Sequence, residues 1–198
     1  MATNFLGQLV KQAAYIPFKS TESTIWFRDL ARRTAASART VLKAGGRRDG
    51  SPQFGSLYLF QYDAKLKDVL PYWDMFPMCI PFKPMPATSA GSKSGFLGLN
   101  LHYLHPKLRA VLMDAIFLTV TNTKYDATTR FKLSYEILNS MAQFKYFKPC
   151  VKHYLMDHVR SSFLYIQPAE WNLALFMPLA RFQKASQARV WAESEEAV

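Results

Sequence analysis

The 198 residues carry 25 Lys+Arg against 14 Asp+Glu, a net charge of +11 and a pI near 9.7, so at neutral pH polyanions or acidic protein surfaces attract the chain. A hydrophobic fraction of 49% with 15% aromatics excludes a wholly disordered protein, and the length suits one cored domain, or one domain plus an extension. No apolar run approaches the roughly 18 residues that span a bilayer, and the first residues lack the charged-then-apolar order of a secretory signal, which predicts a soluble intracellular product without a membrane partner.

In chain order, residues 3–14 suit a short helix with Phe5, Leu9 and Val10 on one side, ended by Pro17. Residues 24–43 predict a longer helix. Trp26, Phe27, Leu30, Thr34, Ala38 and Val41 share one sector of its wheel, while Arg28, Arg32, Arg39 and Lys43 make a narrow stripe on the other. Such a stripe suits a phosphate backbone or an acidic groove; a solvated helix face is the alternative, although Asp29 is its one acid. The following AGGRRDGSPQFG reads as a mobile linker holding Arg47 and Arg48. Residues 1–50 hold nine Lys/Arg and three Asp/Glu, so the expected organisation is a basic helical N-terminal extension and linker at 1–50, then a globular domain at 51–198.

LYLFQY at 57–62 predicts a strand, closed by a turn at 63–65. Three prolines within 70–82 predict an extended edge strand around 78–80, joined across the polar loop 84–94 to a strand at 95–103 as a long hairpin. In that second strand Phe96, Gly98, Asn100 and His102 alternate with Leu97, Leu99, Leu101 and Tyr103, the period of a strand with one face on a core. At His105-Pro106 the period changes. Leu108, Val111, Leu112, Ala115 and Ile116 then recur at helical spacing, so 95–114 is a strand-to-helix unit. Gly95 and Gly98 are too few and wrongly spaced to cradle a phosphate, and the unit reads as scaffold.

Further on, 122–126 predicts a turn, and Asp126 caps a helix carrying Phe131, Tyr135, Leu138 and Ala142. A helix at 150–160 would turn Val151, Leu155 and Val159 inward and leave Lys148, Lys152 and Arg160 on another face as a second anion contact. The remaining elements are a strand at 163–166, a helix at 169–176 broken by Pro178, a last helix at 182–191 and a frayed acidic tail. Strands first and helices mostly afterwards give an α+β fold, a small antiparallel sheet covered by a C-terminal set of helices.

The pattern carries no recognisable catalytic signature. Cys150, His153, Asp157 and His158 lie close in sequence but lack the paired spacing of a zinc site, and no nucleophile elbow or Cys/His signature is present. Asp63, Lys65, Asp68 and Asp74 form the one carboxylate cluster near a lysine that a nuclease would need, in a stretch where Asp is commonly a turn-former. The aromatics Tyr58, Phe60, Tyr62, Tyr72, Trp73 and Phe76 suit base stacking, and suit a core or a protein interface better. Cys79 and Cys150 form no framework, which points to a reducing compartment. The expectation is no enzyme, no metal and no cofactor.

The segments YLFQYDAKLKDVLPYWDMFP (58–77), GFLGLNLHYLHPKLRAVLMD (95–114), KPCVKHYLMDHVRSSF (148–163) and EWNLALFMPLARFQKA (170–185) resemble the DNA end-protector proteins of T-even-type tailed bacteriophages, especially marine relatives. The resemblance covers roughly 55–194, with the basic N-terminal segment outside it. It implies a minor virion protein, made in the host cytoplasm, that binds the terminus of packaged double-stranded DNA and shields it from host exonuclease. No binding residue transfers with the resemblance. The candidate DNA contacts, Arg28, Arg32, Arg39, Lys43, Arg47, Arg48, Lys148, Lys152 and Arg160, come from charge and spacing alone. The competing reading is a structural tail, neck or baseplate subunit that acts through contacts with other virion proteins.

Overall fold

Tyr58 and Phe60 point to one side of their strand and Leu57 and Leu59 to the other, and all four are fully buried, so this stretch needs a core on each face. The computed structural model describes residues 41–42, 47–88, 93–105, 108–109, 145–167 and 170–196. Six strands form one sheet in the order β1-β7-β2-β4-β5-β6, every neighbouring pair antiparallel. They are β1 (Arg48–Asp49), β2 (Leu57–Leu59), β4 (Met78–Met85), β5 (Gly95–Asn100), β6 (Val151–Leu155) and β7 (Phe163–Ile166). A two-stranded ribbon pairs β3 (Trp73–Asp74) with β8 (Phe182–Gln183), and the helices are α1 (Trp171–Phe176) and α2 (Gln187–Glu196). The α+β class is therefore observed, with the sheet as the larger part and few helices among the described residues.

One face of the sheet is aliphatic. Leu57, Leu59, Met78, Ile80, Leu99, Leu164 and Ile166 pack there with Trp171, Ala174 and Leu175 of α1, Val190 of α2 and the helical pair Val41 and Leu42. Each buried Val, Leu, Ile or Met among them contributes about 1.5–3 kcal/mol by leaving water. Trp171 Nε1 donates to the Ile166 carbonyl at 2.9 Å, fixing α1 to the end of β7.

The other face is aromatic and curved. Phe96 of β5 and Phe163 of β7 have ring centroids 6.0 Å apart, although β2 and β4 lie between their strands. A flat sheet would hold them about 14 Å apart at the usual strand spacing, so the sheet curls around this face. Phe60 fills the concavity, with Phe163 at 4.9 Å and Tyr154 at 5.3 Å, both in tilted or edge-on contact.

Several expectations are corrected here. The strand expected at 95–103 has a core on both faces, not one, since Phe96 belongs to the aromatic cluster and Leu99 to the aliphatic one. The strand at 78–85 is central, between β2 and β5. Its prolines are tolerated because Pro81 turns its backbone toward the β2 side, where its carbonyl accepts from Gly55 N at 2.9 Å, and a bulge follows between Pro81 and Lys83. Arg48–Asp49, within the stretch read as linker, pairs with Leu164 and Phe163 as an edge strand. Residues 151–155 are strand β6, not a helix: Tyr154 is buried beside Phe96, and its neighbours alternate across the pleat.

The last helix starts later than its apolar spacing suggests. Phe182 and Gln183 are committed to the ribbon, Lys184 takes a left-handed φ of 64°, and Ser186 Oγ caps the new helix by accepting from Arg189 N at 3.3 Å. Helix α2 runs on to Glu196, into the tail read as frayed. By contrast, the strand at 163–166, the hairpin joining β4 to β5 and the helix ending before Pro178 lie where expected, while the strand expected at 57–62 ends at Leu59 and that expected at 95–103 gives way to a 3-10 turn at Leu101–Tyr103. The helix at 3–14, most of that at 24–43, and the elements predicted between 111 and 144 lie outside the described residues. Among the described residues no helix is long and apolar enough to cross a membrane.

Candidate nucleic-acid interface

Five of the nine predicted contact residues are described, and they divide between two edges of the sheet. Arg47 and Arg48 are exposed at the β1 edge. The Arg47 guanidinium lies 5.1 Å from the Tyr165 ring centroid, and its Nε is 3.4 Å from Asp49 Oδ1. Arg48 donates to Ser162 Oγ at 3.2 Å and to the carbonyl of Leu42, which ties the edge strand to the helical pair beneath it. Arg160, exposed two residues before Ser162, is 3.7 Å from Asp63 Oδ2, a carboxylate that also meets Lys67 Nζ at 3.3 Å. Arg48 and Arg160 thus flank the turn into β7, with the bonds to Ser162 and Asp63 exposed and that from Arg48 to the Leu42 carbonyl part-buried.

Lys148 and Lys152 belong to the other side. Lys148 is exposed in a 3-10 segment before β6. Lys152 is half-buried, its ammonium 4.0 Å from the centroid of the Tyr103 ring, and burial pushes its pKa below the ordinary lysine value. It stands on the outermost strand, where a lysine also discourages edge-to-edge pairing. Arg28, Arg32, Arg39 and Lys43 lie outside the described residues.

The titratable groups named for catalysis do not form one surface. Asp74 is buried at 3% exposure, and its Oδ2 accepts from His102 Nδ1 at 2.6 Å and Asn100 Nδ2 at 3.1 Å. Its Oδ1 accepts from Phe76 N at 3.0 Å and Arg181 N at 3.3 Å. Asp63, in contrast, serves Lys67 and Arg160 at the surface. Burial depresses the His102 pKa below 6.5, so the ring is neutral with its proton on Nδ1, and Nε2 has no partner.

Above that cluster Arg109 is 2% exposed. It donates to the carbonyls of Leu104 at 2.8 Å, Leu175 at 2.9 Å and His102 at 3.3 Å, and burial lowers its pKa to about 10. Trp191 Nε1 donates to the same His102 carbonyl at 3.0 Å. This interior polar network joins the ends of β3 and β5 to α2. Among the described residues no group of three or more His, Cys, Asp and Glu is arranged to hold a metal, and Cys79 and Cys150 are both free and buried.

The aromatic residues considered for stacking are placed largely inside. Tyr58, Phe60, Tyr62 and Phe76 are core, while Tyr72 and Trp73 are half-buried. Sequence reasoning missed Arg109 as an interior donor, because a cation after a histidine and proline carries no local signal of burial.

No curated protein and no solved structure matches the chain. The sequence model of one family, the phage T4 terminal DNA protecting protein, matches residues 5–194. That span takes in the basic N-terminal segment, which the resemblance had left out. With its length matched almost end to end, the chain belongs to the family of the phage T4 terminal DNA protecting protein.

Proposed function

We propose that this protein is a minor virion protein that binds the terminus of linear double-stranded DNA and shields it from exonuclease. The carrying observation is the family match over residues 5–194. A net charge of +11 supports it, as do exposed guanidiniums at Arg47, Arg48 and Arg160 that suit sequence-independent phosphate contact. In this reading the segment before Val41 supplies a basic arm that carries Arg28, Arg32 and Arg39, with Lys43 just beyond it, and the body includes Val41, Leu42 and the edge strand Arg48–Asp49. Protection of this kind requires occupancy of the end and no bond cleavage.

Binding of purified protein to blunt linear duplex and to a closed circle of equal sequence, across a salt series, tests the reading. Preference for the linear form, with digestion by a processive exonuclease delayed in proportion to occupancy, is the expected result. Equal binding to both forms overturns end recognition. Charge reversal of Arg28, Arg32 and Arg39 together should weaken binding to all sequences alike and flatten its salt dependence.

A further inference from the structure

A cavity of about 270 Å³ opens where β4 and β6 end. Its polar lining is Lys65, Thr88, Lys93 and His153; Met85, Pro86 and Leu155 complete the wall. The volume is below the ~300–1,000 Å³ typical of sites for drug-sized molecules, and so is scaled to a small polar group. Two lysines, a histidine and a threonine line it, and among the described residues no carboxylate does. The nearest acid in the bonding pattern is Asp157, which takes one of the three donors of Lys93 from outside and sits 4.0 Å from His158 Nε2.

The backbone is shaped to admit the imidazole. Gly95 pairs with Met85 on one side and Leu155 on the other, and a Cβ there would lie 2.2 Å from the Tyr154 carbonyl oxygen and 3.0 Å from His153 Nε2. Any other residue at 95 would press on the sheet and displace the ring.

Lys65 also opens a turn with a second peculiarity. Leu66 is 58% exposed and Val69 77%, large apolar side chains held out in solvent. The turn is braced from behind, since Lys184 Nζ donates to the carbonyls of Lys67 at 2.7 Å, Asp68 at 3.2 Å and Leu70 at 3.3 Å. An apolar tip is thus fixed beside a cationic pocket.

The geometry points to a site for the terminal phosphomonoester of a DNA end, bound by Lys65, Thr88, Lys93 and His153, with Leu66 and Val69 resting against the last base pair. A terminal phosphomonoester carries about −1.5 to −2 charge and three accepting oxygens, against one charge and two unbridged oxygens at an internal phosphodiester, so convergent donors distinguish an end from the interior of a duplex. The face of the last base pair is the one flat apolar surface that duplex DNA exposes, and it too exists only at an end. The inference rests on the end-binding reading above and supplies the feature that would be recognised.

The test compares three ligands: blunt linear duplex with terminal phosphates, the same duplex after dephosphorylation, and the closed circle. Dephosphorylation is expected to weaken binding of the native protein to the linear form about tenfold, the effect of roughly one charge-assisted contact, and to leave a residual preference over the circle. Lys65→Ala with Lys93→Ala should erase the difference between phosphorylated and dephosphorylated ends. Asp157→Asn, which removes the acid competing for Lys93, should widen it. Leu66→Ser with Val69→Ser should weaken both linear forms alike and spare the circle. A linear preference indifferent to phosphate overturns the pocket while end binding stands; loss of linear preference itself removes the reading beneath it. Phosphate-dependent binding that free inorganic phosphate abolishes on linear duplex and circle alike also overturns the assignment, because the pocket would then take phosphate without reading an end.

Discussion

Arg109 and Arg48 are both arginines that donate to main-chain carbonyls, yet they belong to opposite regimes of this molecule. Arg109 is sealed under Trp191 and spends its donors on three carbonyls of the fold, while Arg48 is exposed on a two-residue edge strand, bonded to Ser162 at the surface and to the part-buried Leu42 carbonyl. The first charge is architecture: removing it strands buried acceptors, each worth about 1–3 kcal/mol. The second is exposed, and its surface bond to Ser162 is one that solvent can replace. A basic composition therefore overstates the charge that a partner meets, and burial decides which cations count.

The contrast can be tested from its strongest consequence downward. Phe60→Ala empties the centre of the curved aromatic face and should cost about 3–5 kcal/mol in urea unfolding. Arg109→Met, similar in length but without donors, should cost about 3 kcal/mol and lower DNA affinity no further than the loss of folded protein explains. Equal affinity loss in Arg109→Met and Arg48→Ala at full folding would break the distinction. Gly98→Ala brings a Cβ to 2.3 Å from Cys79 Sγ and should cost about 1–3 kcal/mol, most of it recovered when Cys79→Ala is added.

A pH scan sharpens the same line. The folded-state pKa of His102 lies below its unfolded value of 6.5, so the unfolded chain takes up the proton first and stability falls as pH drops through 6.5 toward the depressed value. His102→Gln should flatten that limb, measured as the pH dependence of the urea midpoint, whatever its effect on the plateau. At the weak end, Lys67→Ala removes a surface pair with Asp63 and should change stability by less than about 0.5 kcal/mol.

Strands were legible in the sequence where local chemistry and tertiary pairing agree. LYLF is aromatic and aliphatic by turns, and both faces are buried, so it is a strand on either account. Val151, Leu155 and Val159 mislead because their spacing of four fits a helix, while Tyr154, between them, is what the aromatic face requires. Pro71, Pro77 and Pro81 suggested an edge because the bulge that follows Pro81 is set by the partner strand. The charges of the candidate contacts were readable, but their company was not. Lys65, Lys93 and His153 meet across long stretches of chain, and the pairing of Gly95 with Met85 and Leu155 exists only once the sheet is formed.

The pairing of β2 with β7 also sets a clock. Gln61 and Ser161, hydrogen-bonded at 2.8 Å beside those strands, are separated by 100 residues. During synthesis LYLF can therefore pair early with β4 on one side, while its β7-facing edge waits until about 100 further residues have followed. At about 5–20 residues per second that delay is several seconds, long beside the time a hairpin takes to close. Non-local pairing of this kind slows folding, and it leaves one edge of an apolar strand open while the chain between is made.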